Sequence, residues 1–293
     1  MEIVKYSKIF FVFSGILIIA GVVSIFILGL KPGIEFTGGS ILELEYKKDR
    51  PQVQEITKEL AQLELGEISV QPTRENDDDG VIIRMKEISE ENHQAILEKL
   101  AGAQELRFES IGPIVGQELK QKTKIVISLS LITMTLYIAL AFRQVSRQVK
   151  SWHLGIVSLI ILAHDVLMPL GTFAVLGKIY NVQITIPVII ALLTVVGYAI
   201  NNVVVVFDRV RENLLRKTAI SFEDTVNASI KQTLGRQLNT SLTTLFPLTF
   251  IFLIGGEALK YFALALILGI SFGTYSSIFL AGPILVVWQR LGK

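Results

Sequence analysis

Residues Ile9 to Leu30 read IFFVFSGILIIAGVVSIFILGL, 22 positions without a charged side chain, and the chain turns polar directly afterwards at Lys31-Pro32-Gly33. A helix needs about 20 apolar residues to cross a bilayer core of ~30 Å, so this stretch is long enough to span. It is too long for the apolar core of a cleavable signal peptide and lacks a small-x-small site after it, which predicts an uncleaved anchor. Five more apolar runs follow, at roughly 125 to 142, 154 to 177, 184 to 207, 238 to 254 and 261 to 288. The expected fold is a polytopic α-helical membrane protein with six transmembrane helices. Composition agrees, because 51% hydrophobic and 18% charged residues over 293, with a mean hydropathy of +0.54, exceed what a soluble domain can hide. A balance of 28 Lys+Arg against 26 Asp+Glu is too near neutral for nucleic-acid binding. With no cysteine and three scattered histidines, disulfides, thiol nucleophiles and metal sites are not expected either. Nor is there a nucleophile-base constellation or a phosphate-binding glycine loop, so no cofactor and no enzyme are expected.

Charge then orients the spans. Lys5, Lys8, Arg143, Arg147, Lys150, Arg209, Arg211, Arg216, Lys217, Lys231, Arg236, Arg290 and Lys293 fall on one side, against Lys178 and Lys260 in the short loops of the other. Lys/Arg-rich loops stay cytoplasmic, which predicts cytoplasmic termini and an extracytoplasmic segment at 31 to 122. Trp152 and Trp288 near one set of ends, with Tyr180 and Tyr261 near the other, fit interfacial belts. Three domains are expected: 1-30 (N-terminus and first helix), 31-122 (soluble) and 123-293 (five helices).

The segment 31 to 122 carries 19 Asp/Glu and 12 Lys/Arg, a composition apart from the rest of the chain. Leu42-Glu43-Leu44-Glu45-Tyr46 alternates as a half-buried strand, and Val53, Ile56, Leu60 and Leu63 recur at helical spacing after Pro51. Ile68 to Val70 and Val81 to Met85 predict two strands joined by the turn Asn76-Asp77-Asp78-Asp79-Gly80. Ser89 caps a second helix with Ile96, Leu97 and Leu100 on its buried face, and Leu106 and Phe108 mark a last strand. The order βαββαβ is that of a ferredoxin-like α/β domain. Glu75 to Asp79 lacks the spaced ligands of a calcium loop and is expected to be a solvated turn.

Polar residues inside the apolar runs carry the functional expectation. Asp165 is the only acidic residue inside an apolar run away from its ends, where holding it charged costs ~2.5 kcal/mol or more without a partner. His164 beside it points about 100° away around the helix, so the two are expected not to share one contact. In the fourth run, Gly197, Asn201 and Asp208 fall close to one face, with Asn202 adjacent and Asp208, Arg209, Arg211 and Glu212 at the cytoplasmic boundary. In the fifth, Arg236, Thr240, Thr243, Thr244 and Pro247 form a polar stripe that starts with a cation, so a protein-facing helix is expected. Two such stripes fit a hydrated or proton-carrying seam. Small hydroxylated residues also simply help helices pack, and Arg236 has the plainer role of an anchor reaching to water.

Taken together, these residues resemble the SecF family of protein translocase subunits within the resistance-nodulation-division superfamily. Gly33-Ile34-Glu35-Phe36-Thr37-Gly38-Gly39 is similar to that family's Gly-Ile-Asp-Phe-Thr-Gly-Gly signature, with Glu for Asp. Gly112-Pro113-Ile114-Val115-Gly116-Gln117-Glu118-Leu119 resembles its Gly-Pro-x-Val-Gly-x-Glu-Leu. Ala163-His164-Asp165, Gly197 to Asn202, Phe207 to Asn213 and Ser241 to Thr244 complete the set in the family's order. The resemblance implies an inner-membrane subunit that pairs with SecD, associates with the SecYEG channel, with YajC and SecA as indirect partners, and uses the proton gradient to draw unfolded polypeptides outward. Membrane lipids are the remaining contact. Gly33, Gly38 and Gly39 can take positive φ and, with Gly112, Pro113 and Gly116, are expected to form a hinge or a plain linker around the soluble domain.

One position departs from the family. Where it commonly reads Asn-Asp, this chain has Asn201-Asn202, so the family's proposed proton-carrying carboxylate falls on an amide that cannot ionise. Arg236 matches the arginine thought to act beside that carboxylate. Three explanations stand: SecD carries the proton alone, which is favoured; Asp165 takes over; or the subunit is mainly structural. Two rival functions stand beside a motor subunit. One is a scaffold of the channel complex. The other is a small-molecule or lipid exporter of the same superfamily, disfavoured because such chains are typically longer, with two six-helix halves.

Overall fold

The computed structural model describes residues 2–47, 50–63, 65–66, 68–75, 78–141, 151–216 and 219–291. The chain divides into two compact units. A helical unit comprises Met1–Leu30, Ile127–Val182 and Pro187–Lys293, and a sheet unit comprises Lys31–Val126 with Gln183–Ile186.

Five described stretches are helical, long and apolar enough to cross a membrane: Ser7–Leu28, Trp152–Tyr180, Ile186–Leu215, Phe222–Ile254 and Leu259–Leu291. They lie on α1 (Ser7–Leu28), α6 (Ser151–Tyr180), α7 (Ile186–Leu215), α8 (Phe222–Ile254) and a final rod. That rod runs from α9 (Glu257–Ser276) through a π-helical turn (Ser277–Ala281) into α10 (Gly282–Leu291). The run expected at 125 to 142 falls on α5 (Pro113–Ala141), while Arg143, Arg147, Lys150, Lys217 and Lys293 of the orienting charge count lie outside the described residues. Helix α8 begins well before its apolar run, because Ser221 caps it by accepting the Asp224 N–H at 3.0 Å. Val157, Ile161, Val203, Val206, Phe207, Val226 and Ile230 fill the interior of this unit. Helix α1 is nearly uncovered: Ile9, Ile16, Ile19, Phe26 and Ile27 face outward, as suits a lipid-facing helix. It meets α6 where a Cβ on Gly171 would lie 2.6 Å from the Gly21 Cα, a backbone approach that only glycine permits. Trp152 and Trp288 meet edge to face, centroids 5.5 Å apart.

The sheet unit holds β1 (Gly39–Tyr46), α3 (Val53–Leu60), β2 (Ser69–Glu75), β3 (Asp78–Met85), α4 (Glu90–Lys99) and β4 (Ala103–Ile111), preceded by the single-turn α2 (Ile34–Thr37). All pairings are antiparallel in the order β2-β3-β1-β4. Alternation in β1 buries Leu42, Leu44 and Tyr46 against Ile56 and Leu60 of α3 and Ile96 of α4, one apolar face per helix. Ser89 caps α4 through the Asn92 N–H at 3.4 Å. Pro72 sits in β2, an edge strand, where its missing N–H removes nothing from the ladder.

The acidic turn is shorter than its composition suggests. Asp78, Asp79 and Gly80 pair with Glu75, Arg74 and Thr73, because the ladder runs through the backbone and tolerates polar side chains on an edge hairpin. Asn76 and Asp77 lie outside the described residues.

Candidate functional site

In the helical unit, α6 buries Asp165 completely and His164 to 2% exposure. Contrary to the helical-wheel expectation, the two do share a contact: His164 Nδ1 lies 2.8 Å from Asp165 Oδ1. Consecutive Cα atoms are only 3.8 Å apart, so two side chains enclosed in one apolar interior can bend together despite a 100° divergence. The other carboxylate oxygen accepts the Ser276 hydroxyl of α9 at 2.9 Å. Gly273 lies beside it, where a Cβ would meet that oxygen at an ordinary contact distance of 3.4 Å.

Helix α8 carries two polar stripes. The one legible in the sequence faces out of this chain, with Arg236, Thr240 and Thr243 exposed and Thr244 half-buried. Its hydroxyls bond back to their own helix: Thr240 to the Arg236 carbonyl at 2.8 Å, Thr243 to that of Asn239 at 3.0 Å and Thr244 to that of Thr240 at 3.0 Å. Arg236 has no acidic partner among the described residues. The inward stripe was not anticipated: Thr225, Ser229, Thr233, Gln237 and Ser241 are buried at four-residue intervals. Ser241 bonds Thr274 of α9 at 2.6 Å and accepts the Tyr198 hydroxyl of α7 at 3.0 Å, while Gln237 accepts the Ser277 hydroxyl at 2.6 Å. Four-residue recurrence signals a stripe, and α8 has one on each side.

On α7, Asn201 and Asp208 are exposed on the outward face and Gly197 is half-buried beside Met134. Asn202 instead points inward at 2% exposure, and its Nδ2 has no hydrogen-bond partner among the described residues. At the end of α7, Arg209 donates to Gln232 at 2.6 Å and pairs with Glu212, which also pairs with Arg216 at 2.8 Å. Asn213 reaches Ser229 and Gln232, both at 2.8 Å, so the boundary motif joins α7 to α8, while Asp208 and Arg211 approach to only 4.0 Å at the surface.

The structure brings the two glycine motifs of the sheet unit together. Gly38 takes φ +76° and Gly39 φ +128°, carrying the chain from α2 into β1. A Cβ on Gly38 would lie 2.9 Å from the Pro113 Cα, and one on Gly116 2.9 Å from the Gly38 nitrogen. Gly112 lies against Glu87. Gly33 differs from expectation, with φ −71°, and a Cβ there would meet the Glu35 carboxylate at 2.2 Å and the Ile184 carbonyl at 3.3 Å. Gly33 N–H donates to the Ile184 carbonyl at 2.9 Å, the Ile184 N–H donates to Lys31 at 2.7 Å, and Glu35 Oε1 accepts the Ile186 N–H at 3.4 Å. His93 is also buried in this unit, stacked 3.8 Å from Phe108. The Gln94 amide, and after it the His93 ring, hydrogen-bond the Glu90 carboxyl and hold it below the usual range.

The family model described as protein export membrane protein SecD/SecF, C-terminal, matches residues 92–291, and that of the SecD/SecF GG motif matches 23–49. The chain belongs to the SecD/SecF family. Similar to it are the protein translocase subunit SecF of Thermobaculum terrenum, 38% identical over 99% of this chain and 94% of that one, and the subunit SecF of Anaerolinea thermophila, 34% identical over 99% and 94%. The crystal structure of SecDF from Thermus thermophilus, described as a translocon-associated membrane protein, superposes with a TM-score of 0.87 at 30% identity. That match covers 99% of this chain, which spans 39% of the SecDF chain. The two SecD/SecF matches enclose Gly33, Gly38 and Gly39, Asp165, Asn202 and Arg236.

Asn202 offers a direct check on its role in this family member. A buried amide donor without a partner costs about 1–3 kcal/mol. Asn202→Leu is therefore expected to leave the melting temperature of the purified chain unchanged or raised; a clear drop would mean the amide makes a structural bond.

Proposed function

We propose that this chain is an accessory subunit of the Sec preprotein translocase that acts with a SecD subunit to couple the proton gradient to the outward movement of unfolded polypeptide. In this reading it is a multi-pass protein of the bacterial inner membrane. It has six spanning helices, α5 being the second, and cytoplasmic termini. Residues 31-122 form a ferredoxin-like extracytoplasmic domain between the segments 1-30 and 123-293. SecD and SecYEG are its direct partners, YajC and SecA indirect ones, with lipid around the helices. Neither catalysis nor nucleic-acid binding is part of its role.

The observation that carries this proposal is the outward face of α7 and α8. Arg236 lies exposed there among Thr240 and Thr243, with Asn201 on the neighbouring helix and no acidic partner among the described residues. A guanidinium at the edge of a span, on a face this chain leaves exposed, can take its acceptor from a partner subunit. With an amide at Asn202 turned inward, the acceptor is assigned to a carboxylate of SecD, which then carries the proton while this chain supplies the cation. Arg236→Gln is expected to remove most of the gradient-dependent part of export, as loss of a charge-assisted pair worth ~1.5–3 kcal/mol corresponds to about ten- to a hundredfold.

The test is export of a reporter preprotein in cells depleted of this chain and re-supplied with it, at gradients graded by an uncoupler while ATP is held constant. Re-supply is expected to restore export only with the gradient intact. An equal increment without a gradient would leave a scaffold role instead.

A further inference from the structure

Asp165 and His164 are the only titratable side chains buried in the helical unit among the described residues, and neither reaches the outward face that Arg236 occupies. They sit where α6 meets the junction of α9 with its π-helical turn, a departure from α geometry that often marks functional positions. From α9 the groups facing them are Ser276, Gly273 and the rings of Phe272 and Tyr275, centroids 6.2 and 6.3 Å from the imidazole. Tyr275 is titratable, and its hydroxyl is engaged with Ser14 and the Phe10 carbonyl of α1. No Lys, Arg or second carboxylate is buried with the pair among the described residues.

Two adjacent hydroxyls at this junction each stand between two acceptors. Ser276 Oγ lies 2.9 Å from Asp165 Oδ2 and 3.1 Å from the Gly273 carbonyl. Ser277 Oγ lies 2.6 Å from Gln237 Oε1 and 3.0 Å from the Thr274 carbonyl. A hydroxyl has one proton to give, so each has two alternative settings. The same two carbonyls, of Gly273 and Thr274, share the Ser277 backbone N–H just before the winding loosens. Side-chain settings and backbone winding therefore compete for the same acceptors.

We propose that Asp165, oriented by His164, is a proton-binding site internal to this chain, and that Ser276 and the π-helical turn Ser277–Ala281 relay its occupancy to α8 through Gln237. The ionised carboxylate accepts from His164 Nδ1–H and from the Ser276 hydroxyl. A proton arriving on Oδ2 makes it a carboxylic acid whose O–H points where the serine hydrogen pointed. Ser276 then turns its hydrogen to the Gly273 carbonyl and accepts from the acid. That carbonyl gains a donor, the Ser277 N–H shifts towards Thr274, and the Ser277 hydroxyl bond to Gln237 changes with it. Gln237 precedes Leu238 and follows Arg236 on α8, so a shift there reaches the outward stripe. His164 is a positioning residue here.

This inference rests on the reading of the chain as part of a proton-driven system, but its test does not use export. The full chain in lipid bilayer discs is titrated by infrared difference spectroscopy for the carboxylic-acid C=O band, and by hydrogen exchange of residues 273–281 across the same pH range. A pH-dependent band from a carboxyl in apolar surroundings is expected, together with pH-dependent exchange of the turn, and Asp165→Asn is expected to abolish both. Ser276→Ala is expected to keep the band, move its titration because both protonation states lose a partner, and uncouple the exchange. An unchanged band in Asp165→Asn overturns the site, and loss of the band with exchange still pH-dependent overturns the relay. Should Asp165→Asn fail to accumulate, an unmoved titration in both Ser276→Ala and His164→Gln overturns the proposal. A positive titration beside gradient-independent export would remove the motor role and leave this site standing.

Discussion

Gly38→Val is expected to unfold the sheet unit while leaving the helical unit in the membrane. Gly38 takes φ +76° with ψ 165°, a region almost reserved for glycine, where a β-branched residue is strained by about 1–3 kcal/mol. The added Cβ would also lie 2.9 Å from the Pro113 Cα, which is backbone and cannot rotate away, for a further ~1–3 kcal/mol. A combined loss of about 2–6 kcal/mol is a large share of what a small domain possesses. Protease added to the purified full chain should cut between residues 31 and 126 in the variant and not in the wild type. An unchanged cleavage pattern would show that the Gly38–Pro113 contact has slack.

The second large effect is expected at Gly171→Leu, which drives a side chain into the backbone of Gly21. Helices in a bilayer have no hydrophobic force between them, so close backbone approach holds α1 to α6, aided near its start by contacts of Phe10, Phe13 and Ser14 with Tyr275 and Phe279. Separation of the pair should cost ~1–3 kcal/mol or more and lower the melting temperature by several degrees. Because the chain has no cysteine, spin labels can be placed at exposed Ile27 and Ile179 without background, and their distance should lengthen. Gly15→Leu is the matched control, since a Cβ there meets nothing within 4 Å. Equal distances in Gly171→Leu and Gly15→Leu would refute the packing argument.

Legibility followed the strength of the physical signal. The apolar runs were readable because lipid accepts little else, and β1 because its alternation of Leu42, Leu44 and Tyr46 with Glu43 and Glu45 matches the pleat. Ser89 announced α4 because an N-cap is a local event. The β2–β3 ladder past Asp78 was hidden, as strand pairing is a property of the partner. In the site, Asp165 was conspicuous by its expense, yet its bond to His164 was missed because helical angle alone ignores how side chains bend within a shared interior. On α8 a polar stripe was visible at Arg236, Thr240 and Thr243, whereas the inward one through Gln237 and Ser241 was overlooked. Hydropathy cannot say which polar face of a membrane helix meets its own bundle. The π turn Ser277–Ala281 has a local mark that went unread, Gly282-Pro283, since Pro283 offers no N–H to the Phe279 carbonyl and its ring crowds it.

The bonds from Gly33 to Ile184 and from Ile184 to Lys31, with that from Ile186 to Glu35 across 151 positions, impose an order on biosynthesis. Ribosomes add about 5–20 residues per second, so β4 is complete seconds before Ile184 emerges, roughly 70 residues later. The four strands can thus pair while their entry segment still hangs free, and closing so long a loop comes last, at an entropic cost that grows only slowly with its length. Lys31 to Gly33 acts as a clasp fastened at the end of assembly, and a ribosome stalled before residue 184 should hold a sheet whose first turn is still open to exchange with solvent.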